Sequence, residues 1–89
     1  MDQQEAERIL VDMLLSMVTA LVDNEDEITI SAHPAGSTIM FEADVAKEDV
    51  GKLIGRSGKT AGALRHILGA ASAKLRVRSI LAIPDKKSE

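Results

Sequence analysis

The chain contains no cysteine, and only two histidines, His33 and His66. Without cysteine it can form neither disulfide bonds nor thiolate metal sites. Two histidines alone are too few for a metal site unless carboxylates join them, and the sequence does not show such a cluster. We therefore expect the protein to bind no metal and no other cofactor.

No stretch of the sequence has the pattern of a secretory signal or of a membrane-spanning segment. Residues 1–5 are polar and acidic, and the apolar stretch that follows is interrupted by Asp12. With 89 residues, 45% of them hydrophobic, the chain is long enough for one domain with its own core. We expect a soluble, cytoplasmic protein with one domain over residues 1–84 and a flexible tail over residues 85–89.

Each half of the chain has few charges of one sign. Basic residues are scarce in residues 1–49, and acidic residues are scarce in residues 50–89. Residues 1–49 contain twelve acidic and two basic residues, a net charge of −10. Residues 50–89 contain nine basic and two acidic residues, a net charge of +7, so the overall charge of −3 hides a separation of charge. A polyanion responds to the local field and not to the sum over the chain. The C-terminal half therefore suits a nucleic acid, although ordinary charge on helix surfaces explains the pattern equally well.

Hydrophobic periodicity predicts six elements in the order helix, strand, strand, helix, helix, strand. The predicted helices are residues 3–22, 47–54 and 59–75, and the predicted strands are residues 27–33, 38–45 and 76–83. Asp2 has the position of a helix N-cap, with Glu5 three residues later. Both strands of the predicted hairpin alternate apolar and polar residues, which predicts a sheet covered on one face only.

The last predicted helix has two distinct faces. One is apolar and is expected to be buried, and its members are Leu64, Ile67, Leu68, Ala71 and Leu75. The other consists mostly of small residues that a neighbouring backbone could approach closely, namely Gly62, His66, Gly69 and Ala73. We expect this small-residue face to pack inside the monomer, and a contact with a second protein is the alternative.

A short basic connection between the last two predicted helices is the most informative stretch of the sequence. Glycines at positions 55 and 58 flank Arg56 and Ser57, and Lys52 and Lys59 lie on either side. Glycine lets a ligand backbone come into contact with the main chain, and the N–H groups at the start of the next helix, which we expect to be unpaired, attract anions. The connection therefore suits a phosphate group, although a loop of this kind taken alone is more often an ordinary helix cap.

The residues Ile54-Gly55-Arg56-Ser57-Gly58 resemble the I-G-x-x-G signature of KH domains. The predicted order, α-β-β-α-α-β, is similar to the type II arrangement of these domains, an α+β fold whose three-stranded sheet is covered on one face by helices. Because the resemblance covers almost the whole chain, the sequence is similar to the bacterial stand-alone KH-domain family called KhpA. Ala61 departs from the pattern, since KH domains usually have a bulky aliphatic residue there, and this implies a shallower groove.

The resemblance implies that the loop clamps the phosphate backbone of about four nucleotides of single-stranded RNA. The implied RNA-binding residues are Lys52, Ile54, Gly55, Arg56, Ser57, Gly58 and Lys59. A groove for the bases is expected to be lined by Val50, Leu53 and Leu64, with the central strand as its opposite wall. The only aromatic residue, Phe41, is expected to be buried, so the bases cannot stack on an aromatic ring. We therefore expect weak, salt-dependent binding with low sequence specificity.

The resemblance also implies a biological role and protein partners. The role is that of an RNA chaperone or post-transcriptional regulator. The implied partners are a second copy of the chain or another KH-containing protein. No membrane and no small-molecule substrate is expected.

Three other functions compete with RNA binding. A nucleotide-binding P-loop would need glycine at the position of Leu53, five residues before Gly58. An enzyme would need an activated nucleophile or a paired acid and base, and Ser57 has no evident base nearby in the sequence. The remaining alternative is a KH fold that has lost RNA binding and serves as a protein-interaction or dimerisation module. The acidic N-terminal half favours that alternative, and the basic residues around the loop favour RNA.

Overall fold

The computed structural model describes residues 1–85. Its elements are helix α1 (Gln3–Leu21), strands β1 (Thr29–Ala35) and β2 (Thr38–Asp44), helices α2 (Val50–Ile54) and α3 (Lys59–Leu75), and strand β3 (Arg78–Ala82). Short 3₁₀ turns at Glu25–Glu27, Lys47–Asp49 and Arg56–Gly58 precede β1, α2 and α3. The predicted element order is confirmed. Of the predicted flexible tail, residues 86–89 lie outside the described residues.

Helix α1 starts at its predicted position. The side chain of Asp2 accepts a hydrogen bond from the N–H of Glu5 at 2.8 Å, so the predicted N-cap is confirmed. The helix ends at Leu21, one residue earlier than predicted, because Val22 is already extended with φ −111° and ψ 163°. No helix within residues 1–85 combines the length and the apolar character that crossing a bilayer requires.

The three strands form one mixed sheet in the order β1-β2-β3. Strands β1 and β2 form an antiparallel hairpin in which Ala35 pairs with Thr38. Strand β3 lies parallel to β2, with Arg78 opposite Thr38. Parallel strands need a crossover connection, and here α2 and α3 supply it. The α+β fold expected from the resemblance to type II KH domains is confirmed.

The core lies between the helices and one face of the sheet. Its buried members are Leu10, Leu14, Val18, Val22, Ile39, Phe41, Ala43, Val45, Val50, Leu53, Leu64, Leu68 and Leu81. On the other face of the sheet, Ile80 is 55% exposed. The prediction that only one face of the sheet is covered is therefore confirmed.

Two strands have boundaries that differ from the prediction for identifiable reasons. Strand β1 starts at Thr29 because Glu25–Glu27 forms a turn, and it continues through Pro34. Proline is tolerated there because β1 is an edge strand, which needs ladder hydrogen bonds on one side only. Strand β3 starts at Arg78 because Arg76 has φ 62° and ends α3 as a left-handed cap.

Helix α3 presents a narrower buried face than predicted. Its buried residues are Ala61, Leu64, Leu68 and Ser72, whereas Ile67 is 49% exposed, so the prediction for Ile67 is wrong. Ile67 lies beside this stripe, because successive helical residues point about 100° apart. The small-residue face is exposed at all four of its positions. The expectation that it packs inside the monomer is therefore wrong as well.

Replacing Phe41 tests how much of the stability depends on the covered face of the sheet. Phe41 is completely buried, so Phe41→Ala should lower the free energy of unfolding by about 3–5 kcal/mol. The control is Ile80→Thr on the open face, which should change it by no more than about 0.5 kcal/mol. Urea denaturation followed by circular dichroism measures both. Equal losses in the two variants would contradict the one-sided core.

Candidate nucleic-acid interface

The candidate site is centred on the GxxG loop (residues 55–58), where the chain turns from α2 into α3. Gly55 has φ 76° and ψ 170°, a conformation that is essentially restricted to glycine. Ser57 has φ 57° and ψ 27°, and Gly58 has φ 75° and ψ 14°. A left-handed conformation costs a non-glycine residue about 1–2 kcal/mol, so Ser57 is strained. Backbone strain of this kind is concentrated at binding sites.

The two glycines of the loop are required for different reasons. A Cβ atom on Gly55 would lie 2.7 Å from the backbone nitrogen of Thr60 and would overlap the Thr60 side chain. A Cβ atom on Gly58 would have no heavy atom within 4 Å. Gly55 is therefore required by packing within the fold. At Gly58 only the backbone conformation requires glycine, and the space beside it is open.

Two backbone N–H groups that were expected to be unpaired are used inside the loop. The N–H of Gly58 donates to the carbonyl oxygen of Gly55 at 3.2 Å, and the N–H of Lys59 donates to that of Arg56. The expectation is wrong at these positions because a 3₁₀ turn closes the loop before α3 begins. The side chains of Arg56, Ser57 and Lys59 remain exposed, and within residues 1–85 neither cation forms an ion pair.

Lys52 has a different environment from the other basic residues near the loop. Its Nζ atom lies 3.2 Å from Oδ1 of Asp49 and 3.3 Å from Oδ2 of Asp23. Hydrogen bonds to Asp49 and then Asp23 raise the pKa of Lys52 above its ordinary value. The positive charge of Lys52 is therefore balanced locally by two acids, and its field at the loop is weaker than that of Arg56 or Lys59.

A buried carboxylate fixes the start of α2. Asp49 is completely buried and accepts hydrogen bonds from the backbone N–H and from Nδ2 of Asn24, both at 2.9 Å. The side-chain hydrogen bond from Asn24 is the main reason why the pKa of Asp49 is lowered from 3.8 to about 2, although burial opposes the shift. We call Asp23, Asn24, Asp49 and Lys52 the Asp49 network. It ties α2, and with it the loop, to the connection between α1 and β1.

A groove of about 550 Å³ lies beside the loop. It is lined by Lys47, Val50, Gly51, Ile54, Gly55 and Asp85. Of the three residues predicted to line a base groove, Val50 lines this one. Leu53 is completely buried in the core and Leu64 is 4% exposed. The lining of this groove contains no β2 residue and includes Asp85, which follows the edge strand β3.

Several residues near the site were not found from the sequence. Arg65 donates from Nε and Nη2 to the carbonyl oxygen of Leu81, at 3.2 and 3.0 Å, and so covers the outer edge of β3. Gly51 lines the groove although a Cβ atom there would meet nothing within 4 Å. A glycine inside a predicted helix was the one available signal. Within residues 1–85 no group of three or more His, Asp or Glu side chains could hold a metal ion.

The family of the chain follows from comparison with known proteins. The model of the KhpA/KhpB KH domain matches residues 11–83, a range that includes the GxxG loop and the whole sheet. The chain belongs to this family. The resemblance described from the sequence is thereby confirmed.

Curated relatives of the KhpA family match over most of their length. The RNA-binding protein KhpA of Borreliella burgdorferi is 39% identical, covering 84% of this chain and 92% of the relative. That of Halalkalibacterium halodurans is 42% identical over 74% of this chain and 87% of the relative. That of Chlamydia pneumoniae is 36% identical over 85% of this chain and 97% of the relative. The KhpA family is non-enzymatic, which agrees with the expectation that the chain is not an enzyme.

The lowered pKa of Asp49 predicts a specific dependence of stability on pH. A carboxylate whose pKa falls from 3.8 to about 2 on folding stabilises the fold above pH about 4, and this contribution is lost as the pH falls towards 2. Asp49→Asn should therefore be less stable than the wild type at neutral pH. The difference between the two should shrink between pH about 4 and 2. Thermal unfolding over this pH range measures it.

A matched control for this prediction is Asp12→Asn. Asp12 is exposed and pairs only with exposed Arg8, at 3.6 Å one helical turn away, so its removal should have little effect. Equal stability of Asp49→Asn and the wild type at neutral pH would show that the Asp49 network does not stabilise the fold.

Proposed function

We propose that the protein binds single-stranded RNA by holding the phosphate backbone of about four nucleotides against the GxxG loop. The observation that carries this proposal is the form of the loop. Its backbone is strained at Ser57 and open at Gly58, and the exposed cations Arg56 and Lys59 flank it without ion pairs in residues 1–85. Curated relatives of the chain are named RNA-binding proteins, which supports the same conclusion.

The residues around the loop have different parts in the proposed complex. Arg56, Ser57 and Lys59 contact phosphates through their side chains, and the glycines allow close approach of the backbone. Val50 and Ile54 offer apolar surface to the bases in the groove. The remaining residues act without touching RNA in this proposal. Leu53 and Leu64 support the groove from the core. Lys52 acts through the Asp49 network.

We expect the proposed binding to be weak and tolerant of sequence. Phe41 is completely buried, so no phenyl, phenol or indole ring within the described residues can stack on a base. Only two cations beside the loop are free of ion pairs in residues 1–85, which limits the number of neutralised phosphates. Weak binding to many RNAs suits an RNA chaperone or post-transcriptional regulator in the cytoplasm, and we include this role in the proposal.

Fluorescence anisotropy with a short labelled RNA at several salt concentrations tests the proposed clamp. For the wild type, the logarithm of the association constant should fall with the logarithm of salt at a slope of about −1.4, because Arg56 and Lys59 would neutralise two phosphates at about 0.7 each. The double variant Arg56→Asp, Ser57→Asp should bind at least about tenfold more weakly, because it replaces phosphate donors with anions.

The control for the loop variant is Arg8→Asp, Ser16→Asp on α1. It changes the net charge by the same amount through the same substitutions at exposed positions outside the loop. It should retain most of the wild-type affinity, and circular dichroism should show that both variants are folded. If both double variants bind RNA equally weakly, the loss of affinity is due to the net charge and not to the loop. Absence of RNA binding by the wild type would favour the protein-interaction module instead.

The exposed small-residue face of α3 favours self-association as a second function of the same chain. This face consists mostly of small side chains, so a second backbone could approach it closely; its members are Gly62, His66, Gly69 and Ala73. A shallow cavity of about 420 Å³ beside it is lined partly by Gly69, Ala73 and Ile80. Ile67 adds exposed apolar surface. We propose that this face contacts a second copy or another KH-containing protein, which would combine two weak RNA sites.

Introducing a charged side chain into this face tests the proposed contact. A Cβ atom on Gly69 would meet nothing within 4 Å, so Gly69→Glu should fold and should shift the protein to the monomer. Sedimentation velocity over a range of concentrations measures the change. Ser16→Glu on the exposed side of α1 is the control and should leave self-association intact. A wild type that stays monomeric throughout would leave only a different KH-containing protein as a partner for this face.

A further inference from the structure

The groove beside the GxxG loop contains one residue whose charge opposes RNA binding. Asp85 is the only acidic residue in the groove lining, where Val50, Gly51 and Ile54 form the facing side on α2. Its position is set by the two residues before it. Ile83 packs against the core, and Pro84 has a backbone φ fixed by its ring. The carboxylate of Asp85 is therefore placed at the groove by the end of the edge strand.

Within residues 1–85 the fold does not use this carboxylate. Asp85 is exposed, and within residues 1–85 its side chain forms no hydrogen bond and no ion pair. Beside a phosphate backbone a carboxylate is unfavourable, because the two charges have the same sign. Asp85 thus contributes nothing visible to packing and weakens the contact with the RNA backbone. A group on the RNA that donates hydrogen bonds would suit this carboxylate.

The donors of single-stranded RNA lie on the base edges and the 2′-hydroxyl groups. An ionised carboxylate only accepts hydrogen bonds. It binds most strongly to a group that offers two parallel N–H donors. Among the four bases, guanine alone has two adjacent donors on its Watson–Crick edge, N1–H and the N2 amino group. Adenine and cytosine have one amino group beside an acceptor nitrogen, and uracil has one N–H between two carbonyl oxygens. Lys47, in the same groove lining, has donors that suit the O6 acceptor of guanine.

We infer that Asp85 gives the groove a preference for guanine at one nucleotide next to the phosphate clamp, by accepting hydrogen bonds from N1–H and N2–H. This inference rests on the proposed function, because it requires RNA to lie along the loop. It agrees with low overall sequence specificity, since one carboxylate selects one base and leaves the other bound nucleotides unselected.

The test compares short labelled oligouridines that differ only at one central nucleotide, which is uridine, guanosine, adenosine, cytidine or inosine. By anisotropy, the wild type should bind the guanosine oligomer about tenfold more tightly than plain oligouridine, as expected for a two-donor contact. Inosine lacks the N2 amino group but keeps N1–H, so its oligomer should bind with intermediate affinity. Deoxyguanosine at the same position should retain the preference, because the contact is made to the base and not to the 2′-hydroxyl.

The decisive variant is Asp85→Asn, which has nearly the same shape but replaces one acceptor oxygen with a donor. It should bind guanosine and uridine oligomers equally, and its affinity for oligouridine should be unchanged or slightly higher. Asp12→Asn removes an exposed carboxylate from α1 and should keep the guanosine preference. The inference is overturned if the wild type binds all oligomers alike or if Asp85→Asn retains the preference, and the proposed clamp would survive both results. If the wild type binds no oligomer, the proposed function fails and the inference fails with it.

Discussion

The parallel pairing of β3 with β2 is the constraint from which the other features of the structure follow. Two parallel neighbours cannot be joined by a hairpin, so the chain must cross over the sheet between Asp44 and Arg78. Helices α2 and α3 make that crossover, and their apolar sides cover one face of the sheet. The GxxG loop is the point at which the crossover changes direction. The candidate site is thus located at a turn that the sheet topology itself requires.

The loop is held in place by more than local preferences. Helix α2 has only five residues, which is far too short to be stable alone, so burial of Val50 and Leu53 must hold it. The Asp49 network adds a buried, fully ionised contact to a part of the chain 25 residues earlier. This support can balance the strain of the left-handed backbone at Ser57. A loop positioned in this way needs little rearrangement to receive a ligand, which reduces the entropic cost of binding.

The elements could be predicted from the sequence wherever periodicity alone decides them. The alternation in β2 and the helical spacing of Leu10, Leu14 and Val18 gave the correct buried faces, and the loop motif gave the family. Periodicity does not distinguish an apolar side chain that lines a groove from one that packs in the core. The family resemblance therefore predicts Leu53 and Leu64 in a groove, although both are buried in the core.

The parts of the site that the sequence did not reveal depend on contacts between distant residues. Asn24 and Asp49 look like ordinary polar residues of a turn until the fold brings them together. Asp85 follows the last strand in the sequence, yet it faces α2 across the groove. Helical spacing predicts Ile67 on the buried face, and only the packing of α3 in the fold shows that the buried residues are Ala61, Leu64, Leu68 and Ser72.

The separation of charge along the sequence does not translate into one basic surface and one acidic surface. Lys52 comes from the basic half, and Asp23 and Asp49 from the acidic half neutralise it. Arg65 from the basic half is engaged by the carbonyl group of Leu81. The electrostatic attraction for a phosphate backbone is therefore concentrated on Arg56 and Lys59 beside the loop. Since so few charges give a single site low affinity, two sites joined through the exposed face of α3 would gain from their high effective concentration. In the function that we propose, weak charge at the loop and an exposed helix face would complement each other.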